Sequence, residues 1–157
     1  MSPLKQDIAV LDAAMRTLVQ VMKRPQTWTA LLSRADLTID RPGATILRII
    51  VAQPGTVRLH DLAERLGVEA PSITRKTQQL EEAGLLYRER DERDGRAFSL
   101  RITEKGRVVA RKIDTAQRQI LESALQDWLG PDRQQFITLF QRFSEDLSQQ
   151  YNETPRK

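Results

Sequence analysis

Between Arg88 and Arg96 the chain reads RERDERDGR, with charges of both signs crowded around one glycine. Guanidinium groups such as those of Arg93 and Arg96 carry forked donors that match phosphate oxygens and the acceptor edge of guanine. Asp91 and Asp94 can hydrogen-bond those arginines or nearby backbone and so preset the loop. Exposed ion pairs contribute only about 0–1 kcal/mol each, so the part expected of the two aspartates is positioning rather than stability. Asp94-Gly95 is a hairpin turn signal, and the flanks read as strands: Leu85-Leu86-Tyr87-Arg88 leads in, and Phe98, Leu100 and Ile102 alternate on the way out. The charges therefore belong at the tip of a two-stranded ribbon. Val57-Arg58-Leu59 can supply a third short strand.

Immediately before the ribbon stand two short helices on a tight joint. HDLAERLG places Leu62, Ala63 and Leu66 inward and turns at Gly67, with Val68 expected to pack across the turn. The second helix, Ala70 to Ala83, carries Pro71 in its first turn, where a missing N–H costs nothing. Gly84 suits its C-terminal cap. Ile73, Thr77 and Leu80 follow an inward spacing, which turns Ser72, Arg75, Lys76 and Gln79 outward and leaves Thr74 and Gln78 at the flanks. Two helices joined by a short glycine-containing turn form a helix-turn-helix pattern, and the ribbon after it makes the pattern a winged one. A helix face of this polarity fits the major groove of a DNA duplex, where an arginine can fork onto guanine while Ser and Thr hold phosphates.

The elements around this unit read as helices. Leu4, Ile8, Leu11, Met15, Leu18 and Met22 recur at spacings of four and three, a narrow apolar stripe that Pro25 should end. A shorter helix surrounds Trp28, Leu31 and Leu32. Asp40-Arg41-Pro42-Gly43 opens another, whose run Ile46 to Val51 is apolar almost all round and so is central; Pro54-Gly55 stops it. After the ribbon, Thr103 can cap a helix showing Val109, Ile113, Ala116, Ile120 and Ala124 on one face. Trp128 and Leu129 end it, and Pro131 starts a last helix lined by Phe136, Leu139, Phe140, Phe143 and Leu147.

LAERLGVEAPSITRKTQQLEEAGLLYRERDERDGRAFSLRITEKGR, residues 62–107, resembles the MarR family of bacterial transcriptional regulators. The resemblance lies in the helix pair ending in LEEAGLL, in the wing Asp91-x-Arg93-Asp94-x-Arg96, and in Ile102-Thr103-x-x-Gly106. It implies a mainly α fold with a small β-wing: dimerisation and support helices over 1–38, a winged helix-turn-helix domain over 39–103, and dimerisation helices over 104–157. It further implies a homodimer that reads pseudo-palindromic double-stranded DNA, usually as a repressor, and that a small aromatic or other organic ligand can release. The expected DNA contacts are Ala70, Ser72, Thr74, Arg75, Lys76 and Gln78, with Arg93 or Arg96 reaching the DNA from the wing. The expected dimer contacts are Leu4, Ile8, Leu11, Met15 and Leu18 with Phe136, Phe140, Phe143 and Leu147. Met22, Trp28, Ile46 and His60 are the candidates for lining a ligand pocket. Three positions depart from the family pattern. Gly95 stands where a basic residue is common in the wing, and His60 and Glu69 stand where hydroxyl residues usually begin the two helices.

Composition narrows the alternatives. The 157 residues carry a net charge of +4, which permits a polyanionic partner without demanding one. From Arg58 to Arg96, eight Lys and Arg stand against nine Asp and Glu, so a DNA-binding face requires the two signs to segregate in the fold. Cysteine is absent, which removes disulfides, thiol catalysis, thiolate metal sites and a thiol-oxidation switch together. One histidine, no glycine-rich phosphate loop and no catalytic constellation argue against an enzyme, and no cofactor or metal is expected. No run suggests a membrane span or a signal peptide, so a bacterial cytoplasmic protein that joins the nucleoid when DNA-bound is the expectation. The competing reading is a winged-helix module that contacts a protein partner in place of DNA.

Overall fold

The apolar stripe at the start of the chain forms helix α1, Pro3–Lys23, and Pro25 breaks it as its ring requires, opening α2 over Pro25–Arg34. The computed structural model describes residues 2–90 and 98–153. Asp40 then caps α3, Arg41–Val51, by accepting a hydrogen bond from the Gly43 amide at 3.0 Å. A two-residue strand β1, Val57–Arg58, leads directly into α4, Leu59–Leu66. Gly67 ends α4 at φ +62, a left-handed conformation that a Cβ would penalise, and α5 follows over Ala70–Glu82. Strands β2, Leu86–Arg90, and β3, Phe98–Ile102, pair antiparallel with Leu86 opposite Ile102 and Arg90 opposite Phe98. The sheet order is β1-β3-β2. Helix α6, Glu104–Leu125, and helix α7, Gly130–Glu153, complete the chain.

The chain divides into two spatial units, Met1–Arg118 and Gln119–Lys157. In the first, the core is built by Ile46, Leu47 and Ile50 of α3, Leu62 and Ala63 of α4, Ile73 and Leu80 of α5, and Leu86, Leu100 and Ile102 of the sheet. The apolar run of α3 is central, as its all-round hydrophobicity implies. Ala110, Ile113 and Ala116 of α6 are also buried, and Arg48 of α3 pairs with Asp114 of α6 at 3.0 Å. In the second unit, Trp128, Phe136 and Phe140 form a run of ring contacts with centroids 5.1 and 5.5 Å apart.

Three expectations need correction. Val68 is exposed at the α4–α5 turn and does not seal it. Phe98 shares the strand alternation with Leu100 and Ile102 but is half exposed, because β3 begins beyond the edge of the core. Helix α6 ends at Leu125, short of Trp128 and Leu129.

The start of α6 is fixed by unusually close packing. Thr103 Oγ1 donates to the Gly84 carbonyl at 2.8 Å and accepts from the Gly106 amide at 3.0 Å. One hydroxyl thus caps α6 and ties it to the end of α5.

Candidate nucleic-acid interface

Helix α5 is oriented by its apolar side. Ile73, Thr77 and Leu80 are buried, and Ser72, Arg75, Gln78 and Gln79 are exposed on the other side. Thr77 satisfies its hydroxyl within the helix by donating to the Thr74 carbonyl at 3.0 Å, so it can be fully buried without an orphaned polar atom. Thr74 in turn donates to the Ala70 carbonyl at 2.9 Å. Its hydroxyl is therefore turned back on the helix, though the side chain is at the surface. Gln78 donates to Glu82 at 3.2 Å. Among the described residues, Arg75 makes no ion pair.

Helix α5 is held at its C-terminus and in its middle, while Glu69 at its N-terminus makes no side-chain cap hydrogen bond. At the C-terminus, where Glu81 and Glu82 oppose the helix dipole, Lys105 Nζ caps the Ala83 carbonyl at 2.7 Å and Arg88 lies 2.8 Å from Glu81. Lys105 is occupied in bracing the helix, and Arg101 bonds Glu89 at 2.8 Å. In the middle of α5, Lys76 is half-buried and reaches Asp40 Oδ2 at 2.6 Å and Gln79 Oε1 at 2.6 Å. Lys76, Arg88 and Arg101 are thus each paired with a carboxylate, and the acidic residues of α5 collect in its last turn, leaving Arg75 as the exposed cation of its early turns.

Asp40 carries two duties, as cap of α3 and partner of Lys76. Partial burial works to raise its pKa, but hydrogen bonds from Lys76 and the Gly43 amide outweigh that, so the carboxyl titrates below its ordinary value of 3.8. A lowered carboxyl pKa contributes stability that is present above the unfolded-state pKa and disappears as pH falls through the folded one. Asp40→Ala is expected to lower the free energy of unfolding by about 1 kcal/mol at neutral pH. Urea titrations of both proteins should show that difference shrinking as the pH is taken below 3.8. A difference that stays constant would mean the carboxylate charge is not what stabilises the cap.

Arg93, Arg96, Asp91 and Asp94 lie outside the described residues, so the geometry concerns only the strands that carry the ribbon. On α1, Leu4, Ile8, Leu11 and Leu18 are exposed and Met15 is half-buried; on α7, Phe136 and Phe140 are exposed and Phe143 and Leu147 are half-buried. The four pocket candidates do not come together. Trp28 lines a cleft of about 760 Å³ with Leu32, Ile39 and Arg41, whose guanidinium carbon sits 5.2 Å from the centre of the indole ring. Ile46 lies at a second cleft of about 490 Å³, beside Leu66, Ile73 and Arg75. Met22 and His60 are exposed and line neither. Two features escaped sequence reasoning: the Asp40–Lys76 pair, whose partners are 36 residues apart, and the Lys105 cap. Only the Asp40 cap itself had a local signal.

Residues 39–98, which span α3 through the start of β3, match the model of the MarR family. This segment belongs to the MarR family. MarR-family proteins are transcriptional regulators rather than enzymes, and the winged helix-turn-helix described above is the part that matches. Solved structures share the fold over nearly the whole chain. A MarR family protein from Bacillus stearothermophilus aligns over 98% of this chain and 99% of its own, with 23% identity and a TM-score of 0.75. A transcriptional regulator from Thermotoga maritima covers 91% and 99%, with 23% identity and a TM-score of 0.70. A MepR variant from S. aureus bound to an oligodeoxyribonucleotide covers 87% and 97%, with 19% identity and a TM-score of 0.60. Among the described residues, no helix is long and apolar enough to cross a membrane, and no group of three or more His, Cys, Asp or Glu is placed to hold a metal ion.

Proposed function

We propose that this MarR-family regulator is a homodimeric repressor that reads a pseudo-palindromic operator in double-stranded DNA. The observation that carries the reading is α5: a helix braced at its C-terminus and in its middle, with its apolar side in the core and Arg75 exposed on the other. The same fold in S. aureus MepR was solved with an oligodeoxyribonucleotide bound, which supports DNA as the partner. The early turns of α5 enter the major groove, because its last turns carry Glu81 and Glu82, which phosphate repels. Arg75 forks onto a guanine edge or a phosphate, Ala70, Ser72 and Thr74 lie against the backbone, and Gln78 flanks the contact. Arg93 or Arg96 reaches the neighbouring groove from the ribbon tip, braced by Asp91 and Asp94.

One reader covers only a few base pairs, so a two-fold pair with readers about 34 Å apart is needed for an operator. The exposed apolar residues Leu4, Ile8, Leu11 and Leu18 of α1, with Met15, form one part of the surface assigned to the partner copy. Phe136, Phe140, Phe143 and Leu147 of α7 form the other. A small organic ligand that favours one spacing of the two readers releases the DNA by shifting that equilibrium. Of the expected lining residues, Trp28 is the one that supports a site for it, in the larger cleft.

The test is to sequence the duplexes that the purified protein retains from a random pool at low salt. Inverted half-sites with centres about 10 base pairs or a multiple of it apart are expected, with affinity falling as salt rises. Retention of no duplex, or of sites without two-fold symmetry, would favour the protein-contact module instead.

A further inference from the structure

We propose that Asp40 is a positioning residue for operator recognition, holding Lys76 away from the phosphates so that α5 reads with Arg75. The proposal rests on the DNA-reading role assigned to α5. Lysine in the middle of a reading helix is ordinarily counted as a phosphate contact. Here its ammonium is bound at 2.6 Å to Asp40 Oδ2 and at 2.6 Å to Gln79 Oε1, and only 22% of the side chain is exposed. The anchor is itself oriented: Asp40 Oδ1 accepts from the Gly43 amide at 3.0 Å, so the carboxylate is clamped at the head of α3. Gly43 leaves the space this needs, since a Cβ there would stand 2.9 Å from Asp40 Oδ1. The pair therefore links the central helix of the core to the reading helix, and it draws Lys76 toward α3, where Ile46 and Ile73 lie alongside it in the smaller cleft.

The consequence is for selectivity. A lysine on a phosphate adds affinity for every sequence alike, whereas a lysine held by Asp40 adds none. Asp40→Asn keeps an oxygen to cap Gly43 but discards the charge, and Lys76 then becomes available to the DNA backbone. With one added contact per protomer, the loss of affinity between about 50 and 200 mM salt becomes roughly tenfold larger. The specificity ratio between operator and scrambled duplex falls, because the gain is shared by both.

Binding of wild type, Lys76→Met, Asp40→Asn and the double variant to a selected and a scrambled duplex tests this across that salt range. Wild type and Lys76→Met should share one salt slope, Asp40→Asn should be steeper, and the double variant should return to the wild-type slope. Loss of a purely structural cap would weaken binding without steepening the slope, and Lys76→Met would not reverse it. A shallower slope for Lys76→Met alone, or an unchanged slope for Asp40→Asn, overturns the proposal while leaving the regulator reading intact. Failure of the wild-type protein to retain any duplex overturns the regulator reading and the role of Asp40 with it.

Discussion

Gly106→Ala is expected to destabilise the protein by about 3 kcal/mol or to prevent folding altogether. A Cβ on Gly106 would lie 2.1 Å from the Leu85 carbonyl oxygen and 2.8 Å from Ile102 Cγ1. The first of these is backbone and cannot swing aside. The Leu85 oxygen already accepts the Thr103 amide at 3.1 Å and the Thr103 hydroxyl at 3.1 Å, so moving it would break the junction between β3 and α6. Moving α6 instead would disturb Ala110 and Ile113, both buried in tightly packed surroundings. Gly130→Ala is the control: nothing lies within 4 Å of its added methyl, and stability should hardly change. Urea unfolding followed by circular dichroism distinguishes the two. A midpoint for Gly106→Ala equal to that of the wild type would contradict the close approach of α6 to Leu85.

Arg75→Ala should weaken binding to the selected operator by about 1–3 kcal/mol per reader, roughly 5–150-fold, and more when both readers of a dimer lose the side chain. The fold should be unaffected, since Arg75 is exposed and makes no ion pair among the described residues. The pattern of loss identifies the contact. If the guanidinium forks onto guanine, preference at one base pair of each half-site relaxes and other sequences are bound much as before. If it rests on phosphate, binding to all duplexes weakens together and the salt slope falls by about one per protomer. Equilibrium binding to the operator and to its single-base variants separates these outcomes. Unaltered affinity in every case would remove α5 from the interface.

The sequence made most of the local structure legible because the deciding interactions are local. Pro25 breaks a helix by its ring, Asp40 caps one three residues away, Gly67 supplies a left-handed turn, and Thr103 reaches Gly106. The inward phase of α5 followed from Ile73, Thr77 and Leu80 alone. What was hidden depends on where elements end relative to the core. Phe98 has the parity of a core residue but sits past the rim of the sheet, and Ala124 continues the α6 stripe beyond Ala116 into an exposed stretch. Partner choice across long separations was equally illegible: nothing in the spacing of Asp40 and Lys76, or of Lys105 and Ala83, announces that they meet. The pocket candidates lie apart for a related reason. Aromatic and aliphatic residues at helical spacing usually pack, and only the fold decides which of them borders a cleft.

The chain has two tryptophans, and one falls in each spatial unit: Trp28 beneath the Arg41 guanidinium, and Trp128 against Phe136. Each indole therefore serves as a native optical reporter for its own unit. With Trp128→Phe, the remaining emission follows events at the cleft beside α3; with Trp28→Phe, it follows the aromatic run leading into α7. Occupation of the cleft and burial of the α7 face can thus be watched separately, without attaching a dye to either.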